Sequence, residues 1–250
     1  MANIDLSDDV LGELLARVDA DPNVLGLVLT GSQAREGMVT LNSDTDVLVV
    51  VDAEGRKKWR GSHSPQLDIG IYTLDELSKP AMPRDDIDEW WNRYAFSHSA
   101  VLRDKLDGEI QKLVDGQAIL TEQDATTLML DFLDGYINFA VRSLKSIRDG
   151  RQLESRLDAA ESISYALVTI YALERRVRPY NKYLVWDLER FPLENPEFES
   201  ARLVALLDGI RSESHVSAQR ELFAAIEAVA RRNGGAEIID EWAADFELLS

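Results

Sequence analysis

The chain has 250 residues, enough for one large domain or two ordinary ones, and its composition (45% hydrophobic, 29% charged, mean hydropathy −0.20) is that of a globular protein with a real core. It has no cysteine and only 3 histidines, which excludes a disulfide scaffold, thiolate metal sites and cysteine nucleophiles and argues against an imidazole-built zinc site. With 27 basic and 45 acidic side chains the net charge is −18; such a surface repels nucleic acid and anionic lipid and attracts cations, although charge of this size also serves solubility alone.

In chain order, the acidic opening MANIDLSDDVLGELL lacks the basic start and apolar run of a signal peptide, and no stretch approaches the roughly 20 apolar residues that span a bilayer. A cytoplasmic chain without membrane partners is therefore expected. Leu11, Leu14, Leu15 and Val18 recur at helical spacing and predict a helix over residues 6–18, opened by Ser7-Asp8-Asp9. Short apolar runs predict strands at 24–29 and 47–51, the second nearly all valine as in a strand covered on both faces. A weaker alternation predicts a third strand at 67–72, helical patterns follow at 87–97 and 107–114, and a strand is expected near Val101. From residue 124 the pattern changes to long helical runs: 124–147, 157–177, 199–210 and 217–230, then a short helix at 236–248. The expected architecture is α/β: a small mixed, twisted sheet of about residues 1–120, followed by an all-α helical bundle of 121–250.

The segment from Val28 to Val51 carries the chemistry. Gly31-Ser32 follows a predicted strand and should open a short helix, where a glycine lets backbone approach a ligand and free N–H groups point outward. By itself a Gly-Ser turn is usually only a turn. After eleven intervening residues come Asp44-Thr45-Asp46 at the mouth of the next strand. Residues two apart on a strand share a face, and two adjacent carboxylates need a compensating cation. Oxygen donors select Mg²⁺ or Mn²⁺. Asp68 stands inside the third apolar strand, where an ionisable group needs a reason. If that strand neighbours the second, three carboxylates face Gly31-Ser32 and could hold two divalent ions that clamp a triphosphate and activate an attacking hydroxyl.

Gly31-Ser32, Asp44, Asp46 and Asp68 resemble the active-site pattern of the DNA polymerase β-like nucleotidyltransferase superfamily. Within it the chain most resembles the antibiotic (aminoglycoside or lincosamide) nucleotidyltransferases with a C-terminal helical domain. The motif covers about residues 26–72, with a softer likeness through Trp91, Arg93, Tyr94 and the segment 100–104. The resemblance implies Mg²⁺-dependent transfer of a nucleoside monophosphate, most readily AMP from ATP or the equivalent from another NTP, to a hydroxyl, with antibiotic resistance as one biological outcome. It makes Asp44, Asp46 and Asp68 catalytic and metal-binding, and Gly31, Ser32 and Arg35 nucleotide-binding. Two departures stand out. Glu36 sits beside the expected phosphate region, and the third carboxylate is an aspartate where many antibiotic-modifying relatives place a glutamate as general base.

Other residues carry alternatives. Lys182 and Tyr180, in a segment that ends the second long helix, could neutralise phosphate and stack on a base, or simply pack against the bundle. Arg142 and Lys145 could reach phosphate but suit an ordinary solvated helix face. Glu89 and Trp91, after the acidic run Asp85-Asp86-Ile87-Asp88, suit the rim of a site for a small cationic acceptor such as an aminoglycoside, or an acidic helix start with tryptophans in the core. Arg93 and His98 fit an Arg-x4-His pattern known in helical ribonuclease toxins, read here as chance. His63 and His215 have no nameable partner. A protein-modifying nucleotidyltransferase and a non-catalytic nucleotide-binding module remain as alternatives, and the chain could be a monomer or a homodimer.

Overall fold

The structure, a computed structural model, describes residues 9–212 and 215–249. The predicted start of the first helix at residues 6–8 lies outside them, as does the side chain of His215. The chain divides into two compact units, with the boundary between Ile119 and Leu120.

The first unit begins with α1 (Asp9–Ala20), whose leucine stripe and Val18 pack on one face of a sheet, followed by β1 (Val24–Leu29) and β2 (Thr45–Val51). Then come α2 (Ala53–Lys58), β3 (Ser62–His63), β4 (Leu67–Thr73), α3 (Leu74–Leu77), α4 (Ile87–Asn92), a 3-10 turn over Arg93–Ala95, β5 (Ala100–Asp104) and α5 (Glu109–Ala118). The sheet is mixed, in the order β3-β4-β2-β1-β5: β2 and β4 run parallel and the other neighbours antiparallel. The valines of β2 divide between its two sides. Val47, Val49 and Val51 face α1, whereas Val50 joins Val28, Leu77, Phe96, Ile110 and Val114 under α3 and α5. That explains why β2 reads as a continuous apolar run. Gly26 lets α5 sit directly on β1: a Cβ there would lie 3.0 Å from two carbons of Ile110.

Short elements rest on caps rather than on periodicity. Asp52 accepts from Gly55 N–H to start α2, Thr73 and Glu76 form a reciprocal capping box on α3, and Asp86 accepts from Asp88 and Glu89 N–H to start α4. Two arginines, Arg35 and Arg93, are each only 1% exposed. Arg93 donates to the carbonyls of Ala81, Gln117 and Ile119, tying the 3-10 turn to both of its flanks.

The second unit is all α: α6 (Glu122–Arg148), α7 (Gln152–Leu173), α8 (Leu184–Arg190), α9 (Ser200–Arg211), α10 (His215–Arg232), α11 (Ala236–Glu241) and α12 (Phe246–Leu249). Thr121 caps α6 by accepting from Asp124 N–H, and α6 packs along α7. At Gly135 a Cβ would lie 2.4 Å from the Tyr165 ring, so the glycine admits that ring between Phe132 and Phe139. Helix α8, absent from the sequence reading, is held by a buried carboxylate: Asp187 accepts from Tyr171 Oη at 3.0 Å and from Arg176 at 2.5 Å. A small mixed sheet with helices followed by a helical unit is thus the observed fold class. Among the described residues no helix is long and apolar enough to cross a membrane.

Candidate active site

The site is assembled by the register of three strands. In the β1–β2 ladder Leu29 pairs with Val47, so the next residue, Thr30, falls opposite Asp46 and donates its N–H to the Asp46 carbonyl at 2.8 Å. The chain then turns at Gly31, whose φ is +60°, in the left-handed region that glycine alone enters freely. The turn brings Gly31 against the Asp46 side chain: an ideal Cβ on Gly31 would lie 1.8 Å from Asp46 Oδ2. No side chain fits there, so a carboxylate and a bare stretch of backbone occupy adjoining positions. Beside it Ser32 is 0% exposed, and its hydroxyl has no hydrogen-bond partner among the described residues.

In the parallel β2–β4 ladder Asp46 and Asp68 are direct register partners. Their Cα atoms therefore lie about 4.8 Å apart on one face of the sheet. Both are partly exposed, and the Asp68 side chain retains 46% exposure. On its other side Asp68 pairs with His63 of β3, with His63 Nδ1 3.4 Å from Asp68 Oδ2. Sequence reasoning found no partner for His63 because a strand of two residues leaves no periodic signal. Asp44 is half-buried in the extended residues just before β2, two positions from Asp46.

The sequence-predicted residues do not all gather here. Residues 31–37 form successive turns, not the expected short helix; the bonds Ala34 N–H to Thr30 O and Arg35 N–H to Ser32 O close single turns without propagating. Arg35, expected to meet phosphate, is buried and donates to three main-chain carbonyls, at 2.6 Å to Gly31, 3.1 Å to Tyr94 and 2.7 Å to Ser97. Glu89 accepts from Tyr72 Oη at 2.6 Å. Tyr72 stands four residues beyond Asp68 on β4, about 13 Å along the strand. Trp91 is half-buried with its ring 6.4 Å from that of Trp90, and Asp86 is spent as the cap of α4.

Tyr180 and Lys182 belong to the second unit. The Lys182 ammonium lies 5.2 Å over the Tyr183 ring, and the Tyr180 ring 6.4 Å from it. In the same segment Arg178 donates to Asn181 at 2.7 Å, and burial pushes its pKa down. Lys145 and Arg142 pair with Asp245 and Asp158, as expected of an ordinary helix face.

The donor set at Asp46 and Asp68 is hard oxygen, which suits Mg²⁺. Among the described residues no group of three or more His, Asp or Glu side chains is gathered closely enough to hold a metal ion. Mg²⁺ does not require one: it is commonly bound by one or two carboxylates together with substrate phosphates and water. A neighbouring carboxylate pair beside a backbone cradle therefore fits that ion with a phosphate ligand.

Among solved structures, the chain is similar to the crystal structure of a nucleotidyltransferase-like protein from Exiguobacterium sibiricum, at 10% identity and a TM-score of 0.48, over 92% of this chain and 77% of that one. No protein-family profile matches the chain. No curated protein matches it either.

Proposed function

We propose that this protein is a nucleotidyltransferase that moves a nucleoside monophosphate, AMP from ATP in the first instance, to a hydroxyl of a small cationic acceptor of the aminoglycoside kind, releasing pyrophosphate. One observation carries the reading: the close approach of Gly31 to the Asp46 carboxylate, with Asp68 as Asp46's register neighbour. Phosphate binding needs backbone donors and a cation, and a glycine turn set against a carboxylate pair supports this reading. Asp46 and Asp68 would hold Mg²⁺, which supplies charge neutralisation on the phosphates when bound; Asp44 does not complete a three-carboxylate group with them.

The chain's own residues do the rest. The turn at Gly31-Ser32 orients the phosphates, with the Ser32 hydroxyl as a donor awaiting an acceptor. The acceptor hydroxyl attacks the α-phosphorus; the new O–P bond forms as the bond to the β-phosphate oxygen breaks and pyrophosphate leaves. The hydroxyl proton passes to Asp68, whose partly exposed carboxylate a substrate can reach. Such catalysis is mainly positioning and electrostatics. A cationic acceptor is favoured by the charge of −18 and by the exposed Asp85 and Asp88, which no helix cap consumes.

The test is product mass. Protein incubated with Mg²⁺, ATP and individual aminoglycosides or lincosamides should add one AMP to an acceptor. Nucleotide binding without any modified acceptor would redirect the reading to a protein acceptor, and no nucleotide binding would end it.

A further inference from the structure

We infer that Arg35 is a positioning residue that latches the Gly31-Ser32 turn to a fixed point of the first unit, and that it does not touch the nucleotide. The place of Gly31 is set from two sides. On one, the Asp46 carboxylate fills the volume where a Cβ would stand. On the other, the Arg35 guanidinium donates to the Gly31 carbonyl at 2.6 Å. The same guanidinium reaches the carbonyls of Tyr94 at 3.1 Å and Ser97 at 2.7 Å, and lies 5.0 Å over the Tyr94 ring.

The far anchor is itself tied down. Arg93, the first residue of that 3-10 turn, donates to the carbonyls of Ala81 before α4, Gln117 in the last turn of α5 and Ile119 just after it. His98, next to Ser97, holds φ at +60°, a conformation a non-glycine residue keeps only when its surroundings impose it. The turn that carries Ser32 has no helix to stiffen it. A planar fork of donors, buried and spanning three carbonyls, supplies that stiffness. Loosening it would let Gly31 move off Asp46 and spoil the geometry for phosphate.

This inference rests on the nucleotidyltransferase reading for its activity and Mg²⁺–ATP arms, and a third arm, amide exchange, is independent of it. A lysine keeps the charge that a phosphate contact would need but cannot reproduce the fork. Arg35→Lys and Arg35→Met should therefore both lose at least 100-fold in kcat, with KM for ATP moving less than tenfold. In the nucleotide-free protein, amide hydrogens of residues 32–38 should exchange at least tenfold faster in both variants, with those of β2 unchanged. In the wild type, the Arg35 Nη protons should exchange slowly and keep their nuclear magnetic resonance shifts when Mg²⁺–ATP is added. Arg35→Lys retaining a third or more of wild-type kcat, unchanged exchange at residues 32–38, or Nη signals that move with ATP would each overturn the latch. The wild-type arm stands if a variant fails to fold, and the exchange arm stands if the protein transfers no nucleotide.

Discussion

Gly31 shows how one residue can join a fold to a function. Its φ of +60° and the 1.8 Å gap between its ideal Cβ and Asp46 Oδ2 leave no room for alanine. Gly31→Ala should cost more than the about 1–3 kcal/mol of backbone strain, because Asp46 must swing aside bodily: its Cγ and Cβ would lie 2.7 and 2.9 Å from the new methyl. Activity should fall at least 100-fold, because that swing moves Asp46 off its place. A thermal melt read beside the transfer rate checks both, and a variant that keeps full activity would mean the close approach has no role. The adjacency was legible in the sequence. A glycine directly after one strand and aspartates at the mouth of the next fall together once those strands pair, and Asp68 was marked by standing inside an apolar run. Arg35 was not legible as a buried residue. Nothing local separates an arginine that meets solvent or phosphate from one that folds back onto the carbonyls of Tyr94 and Ser97, some sixty positions away.

Among the elements, the corner between α1 and β1 is where pH should be felt. Asp21 accepts from Asn23 N–H and Nδ2 and from the indole N–H of Trp59 just after α2, and these bonds hold its pKa down at about 2. Ionised Asp21 thus contributes stability that is fully present above its ordinary value of 3.8 and is lost as pH falls through about 2. Asp21→Asn should melt lower than wild type at pH 5, and the difference should shrink between pH 4 and 2. Thermal melts across that range check the sign; a gap that widens with acid would contradict it. The long elements were readable because a stripe of leucines or a block of valines reports its own period. The helices α2, α3 and α8 and the strand β3 were missed. They are held by Asp52, by the Thr73–Glu76 box, by the buried Asp187 and by pairing with β4, and none of these carries a period. The expected helix after Gly31 failed for the opposite reason: Gly31 and Gly37 at positive φ bracket the segment and stop a turn from propagating.

At the scale of the whole molecule, the chain is two compact units, each with its own core. The second has Leu128, Leu133, Ile137, Ile170, Leu222, Ile226 and Val229 buried within it, and Leu120 N–H bonded to the Arg175 carbonyl of the same unit. Residues 120–250 expressed alone should therefore give a helical circular dichroism spectrum and a cooperative melt; a noncooperative melt would show that the core is incomplete. The α/β-then-α character was visible in the change of apolar spacing near residue 124, whereas what the protein transfers, and to what, belongs to a site of a few side chains. The measurement that bears most directly on that site is pyrophosphate release with Mg²⁺, ATP and an aminoglycoside panel, wild type beside Asp46→Asn. Release that requires one acceptor and falls at least 1,000-fold in the variant is the predicted result. Equal release from both proteins, or none from wild type under any acceptor together with no binding of Mg²⁺–ATP, would contradict the account.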